Sequence, residues 1–223
     1  MKLHSLPVIA CLLFSIHAAH AGVVVGGTRV IYDGAKKESS LRIENPDKSP
    51  YLIQSWVEAT DSGAKKAPFV ITPPLFRLDG EQKNILRIVQ AGGLPQNQES
   101  LFWLNIKSIP YVAKKDNTLQ IAIKTRIKLI YRPDTLKSNS EATTNELRWQ
   151  HAGNKIQVSN PTNYYMNFNS IKVNGKALSN VTFVAPHATA QFPVSGGQSS
   201  GQVSWKLIND FGVTGPEHTA PAN

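Results

Sequence analysis

From residue 23 to residue 132 the apolar positions fall into short alternating or near-continuous runs, and no stretch shows the period of an amphipathic helix. The runs cover residues 23–32, 39–45, 51–60, 69–71, 83–89, 99–109 and 118–131. Between them stand Asp33-Gly34, Asn45-Pro46, Asp61-Ser62-Gly63, Pro73-Pro74, Asp79-Gly80 and Gly92-Gly93, residue types that turn or break an extended chain. The spacing predicts an immunoglobulin-like sandwich over residues 22–134. A polar stretch at 134–145 has the composition of a linker. Beyond it, runs at 147–151, 155–159, 164–173, 181–185, 189–193 and 202–209 predict a second sandwich over 142–223, with residues 215–223 frayed. The fold class is therefore all-β, with two domains.

Residues 1–21 break this pattern. A basic start at Lys2, an apolar run over 6–19 and the triplet Ala19-His20-Ala21 read as a cleaved export signal. Ser15 and His17 interrupt the run, which is also too short to span a bilayer, so no membrane insertion of the mature chain is expected. Loss of this segment removes Cys11, the sole cysteine, and with it any disulfide, thiolate nucleophile or cysteine-ligated metal. The expected location is the periplasm.

The net charge of +9 arises with only 17% charged residues, from a shortage of acids and without dense Lys/Arg blocks. That predicts a basic surface and no nucleic-acid partner. His151, His187 and His218 are isolated, and the chain has neither a nucleophile elbow nor a phosphate loop. No enzyme activity, metal or cofactor is expected.

Two features could carry binding chemistry. In residues 119–128, Leu119, Ile121 and Ile123 place apolar side chains at every second position. Periodicity alone favours a stripe facing its own core; the other reading is an exposed edge that extends a partner's sheet while its side chains fill the partner's groove. Lys124 and Arg126 are then charges that discourage edge-to-edge aggregation, or ordinary solvated residues. Arg29 and Lys128 lie within apolar strands and need partners. Internal salt bridges would satisfy them, and so would an external carboxylate clamped by both.

The segments Gly27-Thr28-Arg29-Val30-Ile31-Tyr32, Thr72-Pro73-Pro74-Leu75-Phe76-Arg77-Leu78, Ser100-Leu101-Phe102-Trp103-Leu104-Asn105, Ile127-Lys128-Leu129-Ile130-Tyr131-Arg132-Pro133 and Ile208-Asn209-Asp210-Phe211-Gly212 together resemble the periplasmic chaperones of the chaperone-usher pilus pathway, the PapD and FimC family. The resemblance implies two immunoglobulin-like domains set as a boomerang around a cleft. It implies that Arg29 and Lys128 hold the C-terminal carboxylate of a pilus subunit. Asn117, Leu119, Ile121 and Ile123 then belong to the strand, residues 117–128, lent to the subunit, Arg87, Glu99, Arg132 and Asp210 are charges linking the domains, and an outer-membrane usher receives the subunit. The short loop over 110–117 resembles the branch that assembles rod-like pili. Strict alternation puts Lys128 on the face opposite Leu119, Ile121 and Ile123, so a bulge or twist is expected between them. The competing reading is an exported adhesin or structural pilus component, expected to lack a strand that this chain keeps.

Overall fold

The computed structural model describes residues 22–60, 67–111, 119–194 and 201–222. The leader at 1–21, the Asp61-Ser62-Gly63 turn, most of the 110–117 loop and Asn117 lie outside the described residues.

In the first domain, one sheet has the order β1 (Val24–Val25), β3 (Glu38–Glu44), β7 (Lys83–Gln90), β5 (Phe69–Thr72). The facing sheet runs β2 (Arg29–Asp33), β9 (Ile123–Arg132), β8 (Ser100–Pro110), β4 (Tyr51–Ala59), β6 (Leu75–Leu78). Alternation decides the core: Val30 and Tyr32 from β2, Leu41 and Ile43 from β3, and Leu86 and Ile88 from β7 are all buried between the sheets.

The run at 23–32 is two strands in different sheets, because the chain crosses over at Gly26-Gly27. Pro73-Pro74 makes the second crossover and is followed by β6, a four-residue strand that the sequence runs did not include. One pairing brings distant cations together. β2 and β9 run parallel, with Arg29 opposite Lys128 and Asp33 opposite Arg132. All other strand pairs in the domain are antiparallel among the described residues.

The polar stretch after β9 holds a short helix, α1 (Ser140–Thr143), whose N-cap Asn139 accepts a hydrogen bond from the Ala142 N–H. The second domain pairs β10 (Arg148–Ala152), β11 (Lys155–Ser159) and β15 (Thr189–Pro193) in one sheet. Its other sheet contains β13 (Lys176–Ala177), β12 (Met166–Val173), β16 (Gly201–Ile208) and β17 (Thr214–Ala222), with β14 (Phe183–Val184) also on β12. Trp149, Phe168 and Trp205 centre its core.

The expected fraying of 215–223 is wrong. β17 pairs with β16 through Ala222. Its sequence, with Pro216 and Pro221 among small and polar residues, lacks an apolar stripe; an edge strand tolerates this because its backbone is paired on one side only.

Candidate functional site

Arg29 opens β2, and its register partner is Lys128. Their neighbours Val30 and Leu129 point into the core, so alternation turns both cations to the outer face of the sheet, towards the second domain. There the Arg29 Nη1 donates to the Ile208 carbonyl at 3.0 Å, and its Nε is buried with no partner among the described residues. The Lys128 Nζ donates to Asn167 Oδ1 at 2.5 Å and lies 4.9 Å from the Phe183 ring centroid. Both partners come from the second domain, so the cations sit in the seam between the two sandwiches.

No carboxylate lies within 4.0 Å of either cation among the described residues. Asp210 and Glu99, the acids that pull on Arg29 electrostatically, are held by Arg132 instead. Burial lowers the Arg29 pKa against that pull. Burial and then the neighbouring Arg29 charge lower the Lys128 pKa to about 8. Two like charges are thus held in a partly desolvated seam, and an incoming carboxylate would relieve both.

This gives a pH dependence of definite sign. A bound carboxylate favours the charged amine, so affinity for a free C-terminus is expected to be flat below pH 7 and about tenfold weaker by pH 9, as Lys128 loses its proton around 8. The free protein should behave oppositely. The unfolded chain binds more protons between about 8 and the ordinary lysine value, so Lys128 contributes stability that rises with pH across that window. Calorimetric titration at pH 7 and pH 9 with a short apolar peptide carrying a free C-terminal carboxylate, beside thermal melts of the free protein, checks both signs.

The apolar stripe begins ahead of this strand: the expected donor strand is extended only from Ile123, where β9 starts, and Leu119 and Ile121 precede it. Register with β8 is unbroken from Ser108 opposite Ile123 to Ser100 opposite Tyr131. The expected bulge is therefore absent and unnecessary. Lys128 lies on the outer face of β9, and Ile123, the last residue of the stripe, lies on its core face. Ile127, Leu129 and Tyr131 fill the domain's own core on that face, whereas Ile123, Ile121 and Leu119 continue beyond its end at 53%, 65% and 84% exposure. The core-facing reading holds for one half of the segment only. Because β2 pairs with β9 only from Lys128 onward, residues 123–127 have a strand neighbour on the β8 side alone among the described residues.

Next to the cations lies a partly buried charged cluster. The Arg132 Nε donates to Glu99 Oε1 at 2.7 Å, and its Nη1 and Nη2 donate to Asp210 Oδ2 and Oδ1 at 2.6 and 2.9 Å. Glu99 Oε2 accepts from the Tyr165 backbone N–H at 2.7 Å. Burial pushes the Glu99 carboxyl pKa up, although Arg132 and that N–H pull it down. The turn carrying Asp210 is closed by Asn209, whose Oδ1 accepts from the Phe211 and Val213 N–H groups. Gly212 adopts φ +80°, and a Cβ there would meet Thr28 Oγ1 at 2.1 Å, so only glycine allows the turn to pack against the start of β2.

Arg87 does not join this cluster. It lies on β7 in the other sheet, turned outward and facing Glu38 at 4.0 Å. Asn167 and the Ile208 carbonyl escaped the sequence reading. Asn167 stands in a strand that also carries Asn169, Ser170 and Lys172, so its sequence does not single it out, and nothing in a sequence marks a carbonyl.

Comparison with known proteins agrees with this architecture. Residues 22–137 match the family described as pili and flagellar-assembly chaperone, PapD N-terminal domain. Residues 142–219 match pili assembly chaperone PapD, C-terminal domain. The chain is 44% identical over 220 residues to the probable fimbrial chaperone LpfB of Escherichia coli O157:H7, covering 95% of this chain and 94% of the relative. Among solved structures, the Salmonella enterica SafA pilin in complex with the SafB chaperone matches with a TM-score of 0.83 and 38% identity, covering 90% of this chain and 96% of that one. The periplasmic chaperone SfaE matches with a TM-score of 0.75 and 39% identity, covering 89% and 98% respectively. With both domains matched along nearly their whole length, the chain belongs to the PapD family of pilus-assembly chaperones.

Proposed function

We propose that this non-enzymatic chaperone completes and caps a pilus subunit by lending it the free edge of residues 119–127, and that Arg29 and Lys128 hold the C-terminal carboxylate of that subunit. The observation that carries this reading is the meeting of two features along one stretch of chain. The aliphatic stripe runs past the end of the domain's own core into β9, and the edge of β9 at 123–127, with no strand partner on that side among the described residues, ends at two cations with no acid within 4.0 Å among those residues.

The direction of the partner strand is then fixed. β2 begins at Arg29 and runs parallel to β9, so a strand laid along 119–127 with its carboxylate at Arg29 and Lys128 lies in line with β2 and has the same direction. The anchor sets the register. A one-residue slip would turn Leu119, Ile121 and Ile123 out of the groove they fill. Burying those three aliphatic side chains contributes at most about 4 to 9 kcal/mol before ordering costs.

The bound subunit would be handed to an outer-membrane usher. The export signal at 1–21 would place the exchange in the periplasm, the compartment named for SfaE. An exported adhesin or structural pilus component has no support beside chaperone matches over both domains.

Ile121→Asp tests the reading. Ile121 is 65% exposed, so folding stability should stay within about 0.5 kcal/mol of wild type, while co-purification of pilin from periplasmic extract is lost. Pilin recovered at wild-type yield would overturn strand donation.

A further inference from the structure

Residues 123–127 of β9 have a strand neighbour on one side only, and beyond Ile127 their core-face side chains leave the first domain's core. Among the described residues, only Ile127 of these five packs into the core, and the free edge has no strand partner. A half-paired strand end should fray, since each residue fixed in one backbone conformation loses entropy that a full set of neighbours normally offsets. The third side, the outer face, is built differently here.

The cations of this half lean across β8 towards β4. The Arg126 guanidinium lies 4.4 Å from the Trp103 ring centroid, and the Lys124 Nζ lies 5.0 Å from that of Trp56. Both are drawn to one carboxylate. Glu58 Oε1 is 3.7 Å from the Lys124 Nζ, and Oε2 is 3.6 Å from the Arg126 Nη2. Glu58 is itself fixed, because the Trp56 Nε1 donates to its Oε1 at 2.7 Å. That hydrogen bond, with Lys124, the Asn105 side chain and Arg126 after it, holds the Glu58 pKa below the usual carboxylate range against the cost of its partial burial. The group therefore spans three strands, with Glu58 and Trp56 on β4, Trp103 on β8, and Lys124 and Arg126 on β9. It stops where β2 begins to cover the strand at Lys128.

We propose that Glu58, Trp56 and Trp103 form a brace that pre-orders residues 123–127, so that the edge meets its pilin already extended. Glu58 is a positioning residue; it touches the strand's outer face and leaves the free edge clear. Lys124 and Arg126 thereby acquire a task beyond deterring aggregation. Pre-ordering matters for binding because a strand that is already straight has less freedom to lose on association, and the gain falls on the association rate. Once a pilin pairs along the free edge, the strand is held from both sides and the brace becomes redundant. The inference rests on the strand-donation reading for its consequence, but its physical content concerns the free chaperone alone.

Glu58→Gln keeps the shape and an acceptor for the Trp56 Nε1 while removing the charge that gathers Lys124 and Arg126. In the free protein, backbone amides of residues 123–127 are expected to exchange about tenfold faster, the equivalent of about 1.4 kcal/mol, with exchange at 129–131 unchanged. Pilin association should slow several-fold, while dissociation of the formed complex stays at the wild-type rate. An Arg126→Met variant should produce the same local effect, and combining it with Glu58→Gln should add less than the sum. Unchanged exchange at 123–127, or faster exchange spread evenly over the whole sheet, overturns the brace. Because exchange is measured on the chaperone by itself, that failure is distinct from a failure of strand donation, which Ile121→Asp reports.

Discussion

Arg29→Ala and Lys128→Ala are each expected to abolish stable pilin capture while leaving a folded chaperone. A carboxylate in this seam would be a desolvated, hydrogen-bonded partner of two cations. Truncating one member of such a set costs about 2 to 5 kcal/mol, which weakens binding by a factor of about 30 to several thousand. The free protein should respond in the other direction at Lys128. Its amine is partly buried beside Arg29, and its only polar partner among the described residues is the neutral side chain of Asn167. Removing that charge removes a repulsion and a burial cost, so Lys128→Met is expected to gain about 1 kcal/mol, or 2 to 4 °C in Tm. A residue that lowers stability when free and is required when bound marks a site shaped for its ligand. Peptide affinity by calorimetry and melting curves of the same variants check both halves; capture within a few-fold of wild type for both alanine variants would overturn the clamp.

The two parts of the proposed site differ in how far the chain discloses them. The stripe at Leu119, Ile121 and Ile123 was readable because period-two alternation is a local property. Its exposure was not, since the same alternation continues into Ile127 and Leu129, which are core. Only the end of the facing sheet decides where burial stops. The partnership of Arg29 with Lys128 depends on a parallel pairing between the first and last strands of one sheet, a long-range event that no local pattern encodes; resemblance to a family supplied it. Arg87 shows the reverse failure, where a resemblance placed in the cluster a side chain that β7 holds on the opposite sheet. The expected bulge came from assuming that anchor and stripe must share a face. In the proposed reading they face different directions from one stretch of chain, so continuous register suffices.

Arg132→Ala should have the largest effect on the free protein. Arg132 neutralises Glu99 and Asp210 together, and the Glu99 side chain is 1% exposed. Leaving that carboxylate without its guanidinium costs about 3 to 5 kcal/mol, whether it stays charged or takes up a proton against its ordinary pKa. The loss should be concentrated between the domains, because Asp210 and the Tyr165 N–H come from the second sandwich, whereas Glu99 and Arg132 come from the first. Trp56 and Trp103 report on the first domain, and Trp149 and Trp205 on the second, so variants keeping one pair let denaturant unfolding be followed domain by domain. Wild type should unfold with coincident transitions and Arg132→Ala with separated ones. Arg132→Lys should recover little, since an ammonium cannot reproduce the two-pronged contact with Asp210. Pilin capture should fall as well, although Arg132 is assigned no contact with the bound pilin. Asn167 and the Ile208 carbonyl, which hold Lys128 and Arg29, both belong to the second domain, so loosening the seam misaligns the two cations. Coincident transitions in Arg132→Ala, or a stability loss under about 1 kcal/mol, would show that other contacts fix the domains and that the clamp's geometry does not depend on this cluster.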